Sequence, residues 1–281
     1  MERRNGFLIV DDYKKLPDDE CVKRGRHVEC WLENKEVYLF KSYPNVLSCY
    51  KEVVFSRFAT KIGIPNVGYD LASRYGKFGV ITKKCTEEIP ISIKKLILEY
   101  IKIHNLDIRK NYPKLLNIDS IEQILKEKYK EKKNFSIQNN HKDLIIKYIS
   151  QFLLANCDIN YKNLDFEEEK GKFLLLYDFG SCGTIQMEQG KGRENFFSLK
   201  RFYTENKEEN PKIALQTFLN NADRSEVYLF KMYLENACTV SLNDFFAELN
   251  SEISAFFPTE TEILQRRIEL HLNDLQKQCK K

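Results

Sequence analysis

The sequence predicts an α+β chain in two lobes: a small sheet-rich N-terminal lobe with one helix, then a larger, mainly helical lobe. Three observations predict it. Short β-type apolar segments dominate the chain before about residue 90. One segment among them has helical period instead. Long helical-period segments fill most of the remainder. The reading gives residues 1–86 to the first lobe and 87–281 to the second, with the junction near Lys83–Pro90.

In the first lobe, "HVECWLENKEVYLFKSY" holds two apolar-rich segments around Glu33, Asn34 and Lys35, the pattern of a hairpin. In "SCYKEVVFSRFATKIGI", Phe55, Phe58, Ala59 and Ile62 recur at helical spacing, and Gly63 and Pro65 stop the helix. "VGYDLASRYGKFGVITKK" returns to strand character with a turn at Gly76.

In the second lobe, "DSIEQILKEKYKEKK" opens on Asp119 and Ser120, which Glu122 and Gln123 follow at capping-box spacing. Its "EKYKEKK" end reads as a solvated helix face. "HKDLIIKYISQFLLAN" carries the apolar pairs Leu144/Ile145, Tyr148/Ile149 and Phe152/Leu153, a wide buried stripe. Four more helical segments follow: "PKIALQTFLNN", "SEVYLFKMYLENA", "SLNDFFAELNSEISAFF" and "PTETEILQRRIELHLNDLQKQC". In the last, Thr259 and Glu262 form a second expected capping box after Pro258.

Composition narrows the function classes. The net charge of +4 is too small to imply nucleic acid, and no basic stripe with interleaved aromatics appears. "MERRNGFLIVDD" has too short an apolar run for a signal peptide or membrane span, so the expected location is cytoplasmic, with no membrane partner. The 8 cysteines include no CxxC pair and no His/Cys cluster at zinc spacing, and read as free thiols.

The chemistry concentrates in "NCDINYKNLDFEEEKGKFLLLYDFGSCG", residues 156–183. "NLDF" and "KFLLLYDF" are short apolar segments on either side of "EEEKGK", a charged, glycine-bearing hairpin turn. Such a hairpin brings Asn163 and Asp178 to one open end, with Asp158 within reach around a loop. Hard oxygen donors in that number suit magnesium, which takes one or two carboxylates plus substrate phosphates. The remaining acid can orient or deprotonate a hydroxyl nucleophile. Phosphoryl transfer further needs a lysine for nucleotide phosphates and a carboxylate to hold it. Lys41 ends the apolar strand "VYLF", and Glu52 sits in the first turns of the next helix.

These motifs resemble a family. "NCDINYKN" followed by "YDFG" resembles the catalytic-loop and metal-Asp motifs of the protein-kinase-like fold. His-Arg-Asp and Ala-Pro-Glu motifs are absent, which argues against the eukaryotic branch. "VYLFK", "YKEVVFSRFATKIGIPNVGYDLA" and a helical tail resemble bacterial HipA-like serine/threonine kinases, by motif over residues 20–185. The resemblance implies an ATP- and magnesium-dependent phosphotransferase. Lys41 would contact the nucleotide phosphates and Glu52 would brace it, Asp158 would be the catalytic base, and Asn163 and Asp178 would bind magnesium. Asn156 would support the catalytic loop, and Lys83, Lys84 and Cys85 would form the adenine hinge through backbone groups. "KRGRHVECW" resembles a phosphate-covering loop: Gly25 and Trp31 fit, Glu29 stands where a lysine is expected, and Arg24, Arg26 and His27 supply compensating charge. Asn160 stands where the family often has a histidine.

The resemblance also implies a protein substrate and allows for a cognate antitoxin-like partner, with no direct nucleic-acid contact. Two alternatives stay open on the residues themselves. One is a pseudokinase-type binding module, which Glu29 favours. The other is a kinase-fold enzyme acting on a lipid or small molecule, or transferring AMP.

Overall fold

The computed structural model describes residues 3–4, 6–17, 28–155, 164–179, 182, 211–250 and 257–280. Three short strands come first, Arg3–Arg4 (β1), Phe7–Ile9 (β2) and Lys14–Lys15 (β3). The expected hairpin follows as Val28–Asn34 (β4) and Glu36–Ser42 (β5). It is antiparallel from Val28↔Ser42 to Asn34↔Glu36, and Lys35 takes φ 62 at the turn. After the helix Val46–Lys61 (α1) come Asp70–Arg74 (β6) and Lys77–Lys83 (β7), joined by the turn at Tyr75 and Gly76. These strands form one sheet in the order β1-β2-β6-β7-β5-β4-β3, in which β2 and β6 run parallel and the other pairs antiparallel.

Asn45 caps α1 by accepting from the Leu47 amide at 2.8 Å, and the helix stops at Ile62 and Gly63, as expected. Its buried residues include Cys49, Tyr50, Val53, Val54, Phe55, Phe58 and Ala59, too many for one stripe. A helix apolar on nearly all sides needs packing on several. The sheet covers one side of α1 and the C-terminal helices cover another.

Residues 84–90 lead into a second sheet and the helical lobe. Its elements are Ile91–Ser92 (β8), Ile93–Ile103 (α2), Ile108–Asn111 (α3), Ile118–Tyr129 (α4) and Ile137–Leu153 (α5). Then come Asp165–Glu167 (β9), Lys172–Phe173 (β10), Pro211–Asn221 (α6), Arg224–Thr239 (α7), Leu242–Asn250 (α8) and Pro258–Cys279 (α9). The "EEEKGK" hairpin forms between β9 and β10, with Phe166↔Phe173 and Glu167↔Lys172 in register. Gly171 turns it at φ 63, where a Cβ would lie 3.0 Å from the Phe135 Cα. The Gly171 carbonyl accepts from Asn140 Nδ2 on α5 at 2.9 Å, so the turn is tied to the helix beneath.

Both expected capping boxes are corrected. α4 begins at Ile118 with Asn117 as its cap, accepting from the Ser120 amide at 2.8 Å, so Asp119 and Ser120 lie inside the first turn. α9 begins at Pro258 with Phe257 before it and no side-chain cap. Thr261, in its first turn, bonds instead to the Tyr50 hydroxyl. The box that does form joins Asp223 and Glu226 at the start of α7.

One hydrophobic cluster runs from α1 and the inner face of the large sheet through α5, α7, α8 and α9. Each fully buried Leu or Phe in it contributes about 1.5–3 kcal/mol relative to exposure. A second cluster, including Leu8, Val10, Leu32, Phe40 and Ile81, lies apart from it. No helix among the described residues is long and apolar enough to cross a membrane.

Candidate active site

Three chain segments deliver three charged side chains to one point. Lys41 stands one residue before the end of β5, opposite Val80 on β7 and Glu29 on β4. Gly79 on β7 permits close approach there: a Cβ on it would lie 2.4 Å from the Lys41 carbonyl. Glu52 lies in the second turn of α1, the helix packed against this sheet, and is 0% exposed. Asp178 arrives on the irregular segment that leaves β10. That segment abandons the hairpin and is stitched to the loop after α1: Leu176 N–H donates to the Pro65 carbonyl at 3.2 Å, and Val67 N–H to the Leu176 carbonyl at 2.9 Å.

The Lys41 ammonium lies 3.1 Å from Glu52 Oε1 and 2.9 Å from Asp178 Oδ1. The Phe179 amide donates to Glu52 Oε2 at 2.6 Å, and the Tyr43 hydroxyl donates to Glu52 Oε1. Glu52 is therefore a hub, joining the Lys41 strand, its own helix and the Asp178 segment. Phe179 is fully buried, with its ring edge-on to Tyr69 at 6.3 Å. Asp178 has φ 65, a left-handed conformation that non-glycine residues seldom adopt and that concentrates at functional sites. Its side chain keeps 26% exposure, so the site is open at that end.

The electrostatics follow from burial. Burial pulls the Lys41 amine down, but the Glu52 and Asp178 carboxylates outweigh it and hold the pKa above the usual lysine value. Burial raises the Glu52 carboxyl, opposed by Lys41, the Tyr43 hydroxyl and the Phe179 amide. Buried ion pairs are poor sources of stability, because desolvation offsets the Coulomb gain. A buried Lys41–Glu52 pair with a partly open third charge at Asp178 therefore points to a role beyond holding the fold.

The structure brings Lys41, Glu52 and Asp178 together. Lys83, Lys84 and Cys85 lie where the chain leaves the large sheet. The Lys83 amine is 2.5 Å from Glu36 and the Lys84 amine 3.5 Å from Glu87, both at the surface. The Lys84 amide is used by the Val37 carbonyl at 2.8 Å. Asn156, Asp158, Asn160, Asn163, Arg24, Gly25, Arg26 and His27 lie outside the described residues, and with them the expected meeting of Asn163 and Asp178. Tyr43 and Gly79 escaped the sequence reading. Tyr43 had a signal: it follows Lys41 by two positions, the spacing that puts strand side chains on one face.

The donor set fits magnesium and a nucleotide. A partly open carboxylate suits a hard cation that keeps some of its water. An ammonium braced by a second carboxylate suits phosphate oxygens.

No family model and no curated protein matches the chain. Solved structures do. The Helicobacter pylori proinflammatory kinase CtkA matches with a TM-score of 0.60 at 15% identity, over 97% of this chain and 95% of its own. The Shewanella oneidensis MR-1 toxin–antitoxin complex of HipA, HipB and operator DNA matches with a TM-score of 0.51 at 11% identity, over 86% of this chain and 59% of the matched chain. The likeness establishes the fold: a protein-kinase-like α+β fold of the kind seen in CtkA and HipA, as the sequence resemblance implied.

Proposed function

We propose that the chain is an ATP- and magnesium-dependent phosphotransferase that moves the γ-phosphoryl group of ATP to a serine or threonine hydroxyl of a protein. The observation that carries this reading is the Lys41 ammonium held between Glu52 and Asp178, with Asp178 in a left-handed backbone conformation. The kinase fold of the structural neighbours supports it.

In this reading Lys41 binds nucleotide phosphate oxygens and Glu52 fixes its direction. To do so the ammonium gives up Asp178, whose carboxylate then becomes available as a metal ligand beside Asn163. Bound magnesium would neutralise charge on the phosphates. Asp158 accepts the proton of the acceptor hydroxyl. As the new O–P bond forms, the bond from the γ-phosphorus to its bridging oxygen breaks, and the electron pair leaves with ADP. Asn156 supports that loop, the segment at Lys83, Lys84 and Cys85 borders the adenine, and Gly25, Arg26 and His27 cover the phosphates. The reading places the enzyme in the cytoplasm. It also includes an antitoxin-like partner, supported by the HipA neighbour being solved with HipB.

A nucleotide-binding module without turnover is the second reading. Its support is Glu29, which stands directly opposite Lys41 in the β4–β5 ladder. Incubation with magnesium and labelled ATP, alone and with cell lysate, separates the two. Label transferred from the γ position, and lost in Asp158→Ala and Asp178→Ala, is the expected result. Nucleotide bound without any transfer would sink the kinase reading. Transfer from the α position would make the chain a nucleotidyl transferase.

A further inference from the structure

Glu52 Oε1 accepts from two donors, the Lys41 ammonium and the Tyr43 hydroxyl, whereas Oε2 accepts from the Phe179 amide. The ammonium is contested, because Asp178 Oδ1 draws it at 2.9 Å. The second donor, Tyr43, holds the same Glu52 oxygen. It sits just past β5, held on the strand line by its amide, which donates to the Phe78 carbonyl at 3.2 Å. Its ring lies under the ammonium, with Lys41 Nζ 5.0 Å from the centroid, a cation–π distance. One side chain thus touches both members of the pair.

Packing alone does not account for the hydroxyl. The Tyr43 ring belongs to the main hydrophobic cluster, where phenylalanine would fill the same volume without a polar atom to bury. Burial, reinforced by the Glu52 and Asp178 charges, holds the phenol well above the usual tyrosine range, so it stays a neutral donor. A neutral donor can fix a carboxylate without competing for the phosphate that the ammonium must reach.

We propose that Tyr43 is a positioning residue: its hydroxyl fixes the orientation of the Glu52 carboxylate and thereby keeps the Lys41 ammonium poised between Glu52 and Asp178. The inference rests on the phosphotransferase reading of Lys41, Glu52 and Asp178, and its test separates the two. Tyr43→Phe keeps the ring and removes only the donor.

The first readout needs no nucleotide. With 15Nζ-labelled lysine in the full chain, the buried Lys41 ammonium gives a slowly exchanging signal, identified by its loss in Lys41→Arg. In Tyr43→Phe that signal shifts or broadens. The second readout is steady-state phosphoryl transfer. Here kcat falls about tenfold while KM for ATP moves by less than about threefold, the size of one hydrogen bond to a charged group expressed in the transition state.

An unchanged Lys41 signal in Tyr43→Phe overturns the inference, whether or not the chain transfers phosphate. So do unchanged kcat and KM in an active enzyme. A wild-type chain that shows the Tyr43-dependent signal but transfers no phosphate refutes the phosphotransferase reading and upholds the positioning role.

Discussion

Glu52 is a carboxylate with no solvent around it, and its neighbours define what it does. Replacing it by glutamine leaves Lys41 buried with Asp178 as its remaining anion. The expected destabilisation is about 3 kcal/mol, the lower end of the range for breaking a buried pair, because Asp178 still compensates the ammonium. Urea unfolding of Glu52→Gln measures it, and a loss below about 1 kcal/mol would mean the pair is not formed in solution. Glu29 acts in the opposite sense. It stands opposite Lys41 in the ladder and, in the proposed reading, would repel a phosphate there, so Glu29→Gln is expected to tighten magnesium–nucleotide binding by about fivefold, roughly 1 kcal/mol. Unchanged or weaker affinity would show that Glu29 is directed away from the phosphates. At this scale the sequence was informative for Lys41, Glu52 and Asp178, because their types and order reflect one chemistry. Tyr43 was not picked out, because a tyrosine in an apolar strand looks like core until its hydroxyl partner is known.

Element contacts decide which local signals win. Asp119 and Ser120 carry a good capping pattern, yet Asn117 reaches the Ser120 amide first and the helix starts earlier. The Asp223–Glu226 box lies at the boundary of the segment that starts at Ser225, with its capping residue just outside that segment. β1, β2 and β3 are two or three residues long, too short for alternation to be read, and exist because the sheet offers them partners. The seam between α9 and α5 gives a pH prediction. His271 on α9 is buried and donates Nε2–H to the Phe152 carbonyl, while Nδ1 has no partner. Burial lowers its pKa, outweighing the Phe152 carbonyl and Asp274. Below its ordinary value near 6.5 the unfolded chain takes up a proton that the folded chain refuses. This contribution is therefore full above pH 6.5 and declines as the pH falls below it, by up to about 1.4 kcal/mol per unit of pH. His271→Gln retains a donor and removes the titration, so its stability falls less between pH 7 and pH 5 than that of the wild type. Equal slopes in the two proteins would remove His271 as the cause.

The molecule is joined across its lobes by contacts that no local pattern reveals. Tyr50 on α1 stacks on Phe257 at 4.8 Å and bonds to Thr261, 211 residues further along the chain. Phe58 meets Phe245 edge-on at 5.6 Å, Lys61 lies 3.4 Å from Glu248, and Asn236 donates to the Ile62 carbonyl at 3.1 Å. The helix bearing Glu52 is thus fixed by the C-terminal helices as well as by its own sheet. Lobes sharing one core should unfold together. Trp31, the chain's 1 tryptophan, reports on the sheet-rich lobe, and far-ultraviolet circular dichroism reports mainly on the helical lobe. The two probes are expected to give coincident urea transitions. Separated midpoints would show that the shared core does not couple the lobes.

The central claim is that Lys41, Glu52 and Asp178 form a nucleotide-phosphate and metal site. Calorimetric titration of the full chain with a non-hydrolysable ATP analogue, with and without magnesium, tests it most directly. The expected result is magnesium-dependent binding that weakens at least about tenfold in Lys41→Ala and loses its magnesium dependence in Asp178→Asn. Binding that is indifferent to magnesium and unchanged in both variants would contradict the account.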